Sequence, residues 1–304
     1  MKNIIVTNVL KAAIRGLIKP IFGPPWPYAV QRFWLEFMSS SSMTPKGTDV
    51  RPCIMNGVSA ERVTNSNVAP QNNQTVILYL HGGAYCICSP KTHRGLTAAL
   101  AYTVNATVYV PDYRLAPENP FPAGIDDCVA SYQWLLDQGY SAERIIIAGD
   151  SAGAGLAMAT ALRIRDLTLA SPAGLVLLSP WVDLTLANRS ICDDGIDPML
   201  RWSNLEAGVE AYLQGADPRD SLVSAVFSDL SELPPMLIQV GSEEILLSDA
   251  KRLKMQADES HVPVSMTVYE KAWHVFQLQV GVFEQANKAV DEIAQFIAST
   301  NIKN

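Results

Sequence analysis

A chain of 304 residues with 48% hydrophobic and 17% charged side chains can bury a sizeable core; it is long for one simple domain and ordinary for an α/β enzyme with an insertion. Its formal net charge of −7 offers no basic stripe for a phosphate backbone, which argues against a nucleic-acid partner and mildly disfavours anionic ligands at long range. Five cysteines (Cys53, Cys86, Cys88, Cys128, Cys192) are an odd set in a chain that needs no staples, and they read as small buried hydrophobes in a reducing, cytoplasmic setting rather than as disulfides, zinc ligands or nucleophiles.

The chain opens on MKNIIVTNVLKAAIRGLIKPIFG, where Lys11, Arg15 and Lys19 interrupt any continuous apolar core, so neither a signal peptide nor stable membrane insertion is expected. Ile4, Ile5, Val9, Leu10 and Ala13 share one helical face that Leu17 continues, which predicts an amphipathic helix packed on the protein's own body rather than on lipid. An aromatic-rich segment (Trp26, Tyr28, Phe33, Trp34, Phe37) follows and ends at a boundary marked by the Ser39 to Ser42 run. From Val50 onward apolar runs recur between turn residues: Thr75 to Leu80, Thr107 to Val110, Ile145 to Ala148, Gly174 to Ser179, Met236 to Val240 and Val264 to Tyr269. Helical patterns separate most of them, at Thr92 to Thr103, Ile125 to Gln138, Ala152 to Asp166, Leu246 to Ala257 and Phe283 to Ala298. Such alternation predicts right-handed crossovers and a mainly parallel sheet with helices on both faces; Cys53 to Met55 and Ser59 to Val63 are expected as an antiparallel edge.

Residues 184–234 break the alternation, with a helical pattern near Ser203 to Leu213 and several proline turns, which is too much for an ordinary connection. The expected organisation is N-terminal cap helices over 1–45, a core in two parts at 46–183 and 235–304, and a cap insertion at 184–234. Ligands of open α/β sheets bind beyond the carboxyl ends of the strands, so a helical lid there would cover the site.

Gly149-Asp150-Ser151-Ala152-Gly153 ends the strand Ile145 to Ala148 and is followed by a proline-free run of helix formers. This is the strand, turn and helix order of a nucleophile elbow, with Ser151 held out on a strained turn that only small neighbours permit. A serine hydroxyl needs a base, a group to orient that base, and donors for the oxyanion. Chain order of serine, acid, histidine leaves His261 and His274, and His274 is preferred because it follows a strand end. Glu243, Glu244 and Asp249 compete for the acid, all just past the strand Met236 to Val240. Upstream, Gly82 and Gly83 let backbone approach a reacting carbonyl, and with Ala152 they are the expected N–H donors of an oxyanion hole.

Taken together, HGGA at 81–84, DYRLAPENPFPA at 112–123, GDSAG at 149–153 and the WHVF histidine make the chain resemble the hormone-sensitive-lipase-like esterases of microbes over roughly residues 50–300. The resemblance implies an α/β-hydrolase fold with a mainly parallel central sheet and a helical cap, and hydrolysis of short- to medium-chain acyl esters without metal or cofactor. It implies Ser151 as nucleophile, His274 as base, and Gly82, Gly83 and Ala152 as donors. Glu244-Ile245-Leu246 stands where many members carry Asp-Pro-Leu, thirty residues before His274, so the implied acid is Glu244. Ala84 replaces a third glycine. Arg114 is expected in a structural ion pair with Asp112 or Glu118, and Asp150 bonded to nearby backbone at the elbow. The partner implied is a small-molecule acyl ester, with a homodimer through Val264 to Tyr269 as in relatives. The alternatives are an amidase or peptidase with the same triad and a small-ligand receptor of the same fold; receptors of this kind lack a working histidine, and His274 is present.

Overall fold

The apolar runs between turn residues become strands because each is short, rich in β-branched or leucine side chains, and bounded by residues that stop it. The computed structural model describes residues 2–40, 42–66, 75–190 and 195–301; the expectations for Cys192, for Ser41 in the serine run and for the Ile4 side chain lie outside the described residues. Eight strands form one sheet: β1 (Thr48–Met55), β2 (Val58–Asn65), β3 (Val76–Leu80), β4 (Thr107–Pro111), β5 (Ile145–Asp150), β6 (Gly174–Leu178), β7 (Met236–Gly241) and β8 (Val264–Tyr269). Their spatial order is β1-β2-β4-β3-β5-β6-β7-β8. β1 and β2 pair antiparallel, β2 meets β4 antiparallel, and the remaining pairs are parallel. The expected antiparallel edge is therefore present, and it begins earlier and runs longer than Cys53 to Val63.

Every residue of β3 to β7 is buried, as a sheet covered on both faces requires. Alternation sorts the side chains: Leu78, Leu80, Ile145 and Ile147 join the core under α4 (Ala123–Asp137), α5 (Ala152–Asp166) and α7 (Leu247–Glu259). Ile77, Tyr79, Ile146 and Ala148 face α3 (Arg94–Val104) and α8 (Glu284–Asn301).

Two helices precede the sheet, α1 (Lys2–Leu17) and α2 (Tyr28–Ser39), and α6 (Trp202–Leu213) lies between β6 and β7. The N-terminal segment and the 184–234 segment touch: Tyr28 Oη donates to the Ala207 carbonyl at 3.1 Å, Lys19 Nζ to the Asp197 carbonyl at 2.6 Å, and the Asn204 amide to the Phe22 carbonyl. The packed stripe of α1 differs from the expected one. Ile14 is buried with Trp273 and Phe276, and Leu10 and Ile18 pack beside it, while Ile5 and Val9 are 63% and 61% exposed. The apolar arc of α1 is wider than the seam that receives it, so only one edge is covered. Among the described residues no helix is long and apolar enough to cross a membrane.

Candidate active site

The elbow is built by close backbone approach. A Cβ at position 149 would stand 2.3 Å from the Gly153 carbonyl oxygen, and one at 153 would stand 2.0 Å from that of Leu80, so both positions exclude any side chain. Ser151 itself has φ 53° and ψ −120°, a strained conformation for a residue with a Cβ. Two hydrogen bonds from the end of β6 fix it there: its N–H donates to the Leu178 carbonyl at 2.9 Å, and its carbonyl accepts the Trp181 N–H at 3.1 Å. α5 starts at Ala152, which puts the positive end of its dipole beside Ser151.

In the loop after β3 the Gly82 N–H, an expected oxyanion donor, donates to Asp150 Oδ1 at 3.0 Å. The N–H groups of Gly83, Ala84 and Ala152 donate to no acceptor within the protein among the described residues. Gly83 (φ 116°) and Ala84 (φ 51°) both occupy the left-handed half of conformational space, where the chain turns its amides. Of the loop amides, the first is taken by a buried carboxylate, and those of Gly83 and Ala84 are left open together with that of Ala152.

That carboxylate is a hub. Asp150 also accepts from Tyr79 Oη at 2.8 Å, and His93 Nε2 lies 3.2 to 3.3 Å from its two oxygens. Burial pushes the Asp150 carboxyl up, but His93 and Tyr79 outweigh it and hold it below the usual range. His81 is stacked on Tyr113 at 4.3 Å between ring centres, and its Nδ1 lies 2.9 Å from the Gly82 carbonyl. Burial, with His93 adding to it, drags its pKa down to about 3 and keeps it neutral.

His261 is exposed beyond α7, whereas His274 is buried. The three competing carboxylates separate cleanly. Glu243 Oε2 pairs with Lys11 Nζ at 2.7 Å, and Asp249 accepts the N–H groups of Val182 and Asp183 and the Asn188 amide at 2.8 to 3.3 Å. Glu244 Oε2 faces His274 Nδ1 at 3.5 Å, within ion-pair range and longer than a hydrogen bond. Burial raises the Glu244 carboxyl, and His274 and Ser179 draw it back only in part. For His274 burial opposes the imidazolium, but Glu244 and then Asp197 outweigh it and leave the ring above its usual value.

Several residues here were invisible to motif reading. Ser179 Oγ donates to Glu244 Oε2 at 2.7 Å and accepts the Val275 N–H at 3.0 Å. Asp197 accepts the Ile245 N–H at 3.2 Å, next to Glu244. Lys11, besides holding Glu243, lies 5.9 Å from the ring centre of Trp273, next to the histidine. The signals were a serine and proline at a strand end (Ser179-Pro180) and an Asp-Pro turn (Asp197-Pro198), neither of which names a partner. The Arg114 expectation also changes: the guanidinium grips Asp127 at 2.7 to 3.0 Å, and Glu118 pairs with Arg32 of α2 at 2.7 Å. Asp127 lies inside α4, so helix packing brings it closer than the nearer carboxylates in sequence.

Ser151, His274, Gly83 and Asp150 open into one cavity of about 390 Å³. Leu10, Ile14, Leu35, Met38, Leu96 and Met199 contribute to its apolar walls, so α1, α2 and the 184–234 segment all line a cavity at the end of the sheet. A mainly parallel sheet crowned by an elbow serine, with a histidine after its last strand and a carboxylate after the one before, defines the class.

The chain belongs to the α/β-hydrolase family, whose model matches residues 77–278. It is similar to an esterase of Acinetobacter venetianus, 40% identical over 255 residues and covering 83% of each chain. An acetyl-hydrolase of Streptomyces hygroscopicus is 41% identical over 230 residues, covering 75% of this chain and 77% of that one. A solved hormone-sensitive lipase from a metagenome library superposes with a TM-score of 0.87 at 38% identity, covering 97% of each chain. Within the family the chain is a carboxylic ester hydrolase of the hormone-sensitive-lipase-like branch.

Proposed function

We propose that the protein is a serine carboxylesterase acting on short- to medium-chain acyl esters through Ser151, His274 and Glu244. The observation that carries this is the convergence of a strained elbow serine, a buried histidine whose Nδ1 faces a carboxylate, and unengaged amides around one apolar cavity. With Nδ1 turned to Glu244, Nε2 is the nitrogen left to take the Ser151 proton as Oγ attacks the ester carbonyl. Charge developing on the carbonyl oxygen is met by the N–H groups of Gly83, Ala84 and Ala152. The imidazolium, stabilised by Glu244, returns its proton to the departing alcohol. Water then attacks the acyl-enzyme with His274 again as base, releasing the acid and restoring Ser151.

In this reading α1, α2 and residues 184–234 act as the cap that shapes the acyl pocket. The free thiols of Cys53, Cys86, Cys88 and Cys128 support a cytoplasmic location. β8 is the outermost strand on its side of the sheet, which supports a homodimer through it, to be checked by light scattering. The decisive experiment is Ser151→Ala assayed with p-nitrophenyl butyrate: turnover is expected to vanish, and activity within a few-fold of the parent overturns the nucleophile. Matched ester and anilide substrates separate an esterase from an amidase.

A further inference from the structure

We infer that Ser179 is a positioning residue for the triad, and that one strand end, residues 178–181, registers nucleophile, base and acid against one another. The inference rests on the triad reading above. Leu178 and Trp181 hold the N–H and the carbonyl of Ser151 through bonds of 2.9 and 3.1 Å. Between them Ser179 is anchored to β7 by its own N–H, which donates to the Gln239 carbonyl at 2.7 Å. Its hydroxyl is fully buried and joins two loops, donating to Glu244 Oε2 at 2.7 Å and accepting the Val275 N–H at 3.0 Å.

The direction of these bonds is forced. The Val275 amide can only donate, so the single hydroxyl proton goes to the carboxylate. The oxygen it reaches is the one that faces His274 Nδ1. Glu244 Oε1 has no partner, so the Ser179 hydroxyl is the neutral donor that holds this carboxylate among the described residues. Glutamate has one more rotatable bond than the aspartate usual in the Asp-Pro-Leu pattern, which increases the need for an external anchor. Without the hydroxyl, Oε2 loses a donor, the Val275 N–H loses its acceptor, and the buried carboxyl holds its proton more tightly.

Ser179 has φ 46°, so glycine suits the position and Ser179→Gly deletes the hydroxyl while keeping the backbone; Ser179→Ala is the companion variant. With p-nitrophenyl butyrate, both full-length variants are expected to lose about ten- to a hundredfold in kcat with KM within about threefold. The acid limb of the kcat/KM profile is expected at higher pH, and the thermal midpoint of both variants is expected to fall because the buried Val275 N–H loses its acceptor, so the kcat loss is read per folded molecule. A glycine variant with kcat within about twofold and an unmoved acid limb overturns the proposal. So does a loss of activity that tracks a lowered midpoint in both variants and disappears when rates are expressed per folded molecule. Ser151→Ala in the same assay separates the two levels. If it stays active the triad reading fails, and if it is dead while Ser179→Gly is indifferent, only the role of Ser179 is lost.

Discussion

Glu244 shows how far residue types alone can carry an assignment. Three carboxylates within seven positions satisfy the same motif, and what separates them is where each side chain finds a partner: Lys11 for Glu243, His274 for Glu244, backbone amides for Asp249. Glu244→Ala is expected to lower kcat by about a hundredfold or more, because the imidazolium loses its counter-charge and its orienting group. Asp249→Ala is expected to act on stability, leaving the buried N–H groups of Val182 and Asp183 unpaired at a cost of about 1–3 kcal/mol, with kcat per folded molecule near the parent's. Unfolding midpoints measured beside kcat tell the two apart. His274 must be neutral to accept a proton, and its pKa is raised above the ordinary 6.5, so kcat/KM is expected to fall as pH drops through a midpoint above 6.5. His81, neutral above about pH 3, contributes no limb in that range. The elbow serine and the histidine were legible because their chemistry is bound to a local pattern. The direction of the Gly82 N–H was not legible, because it is set by Asp150, 68 positions away.

Among the elements, α1 was legible as a helix, but its seam was not. Lys11, which the sequence presents as an interruption of an apolar stretch, is buried and bridges Glu243 and Trp273, the chain neighbours of Glu244 and His274. α1 is therefore tied to the loops that carry Glu244 and His274. Replacing Lys11 by methionine keeps the aliphatic packing and deletes the charge. The expected result is a lower kcat, because the acid and histidine loops lose a shared anchor. A stability loss of about 1–2 kcal/mol is expected beside it, discounted for the partial exposure of Glu243. Thermal unfolding and kcat measured on the same preparation check both. The central strands and their helices, in contrast, followed from periodicity, since runs buried on both faces stay apolar throughout.

For the whole molecule, the proposed acyl-length preference would be set by the cavity that α1, α2 and residues 184–234 line. Ala13 of α1 lines it, so Ala13→Trp is expected to lower the octanoate-to-butyrate ratio of kcat/KM by about tenfold, read from a series of p-nitrophenyl esters. An unchanged ratio would mean that the acyl chain does not run beneath α1. The alternation of strands and helices, the elbow and the histidine past the last strand were determined by the sequence alone, since each is written in neighbouring residues whose propensities and sterics agree. Which loop amides stay unengaged, which carboxylate meets His274, the bonds of the Ser179 hydroxyl and the cavity walls were decided by tertiary structure. Each of these depends on a partner tens to hundreds of positions away, and only packing determines which buried polar group meets which.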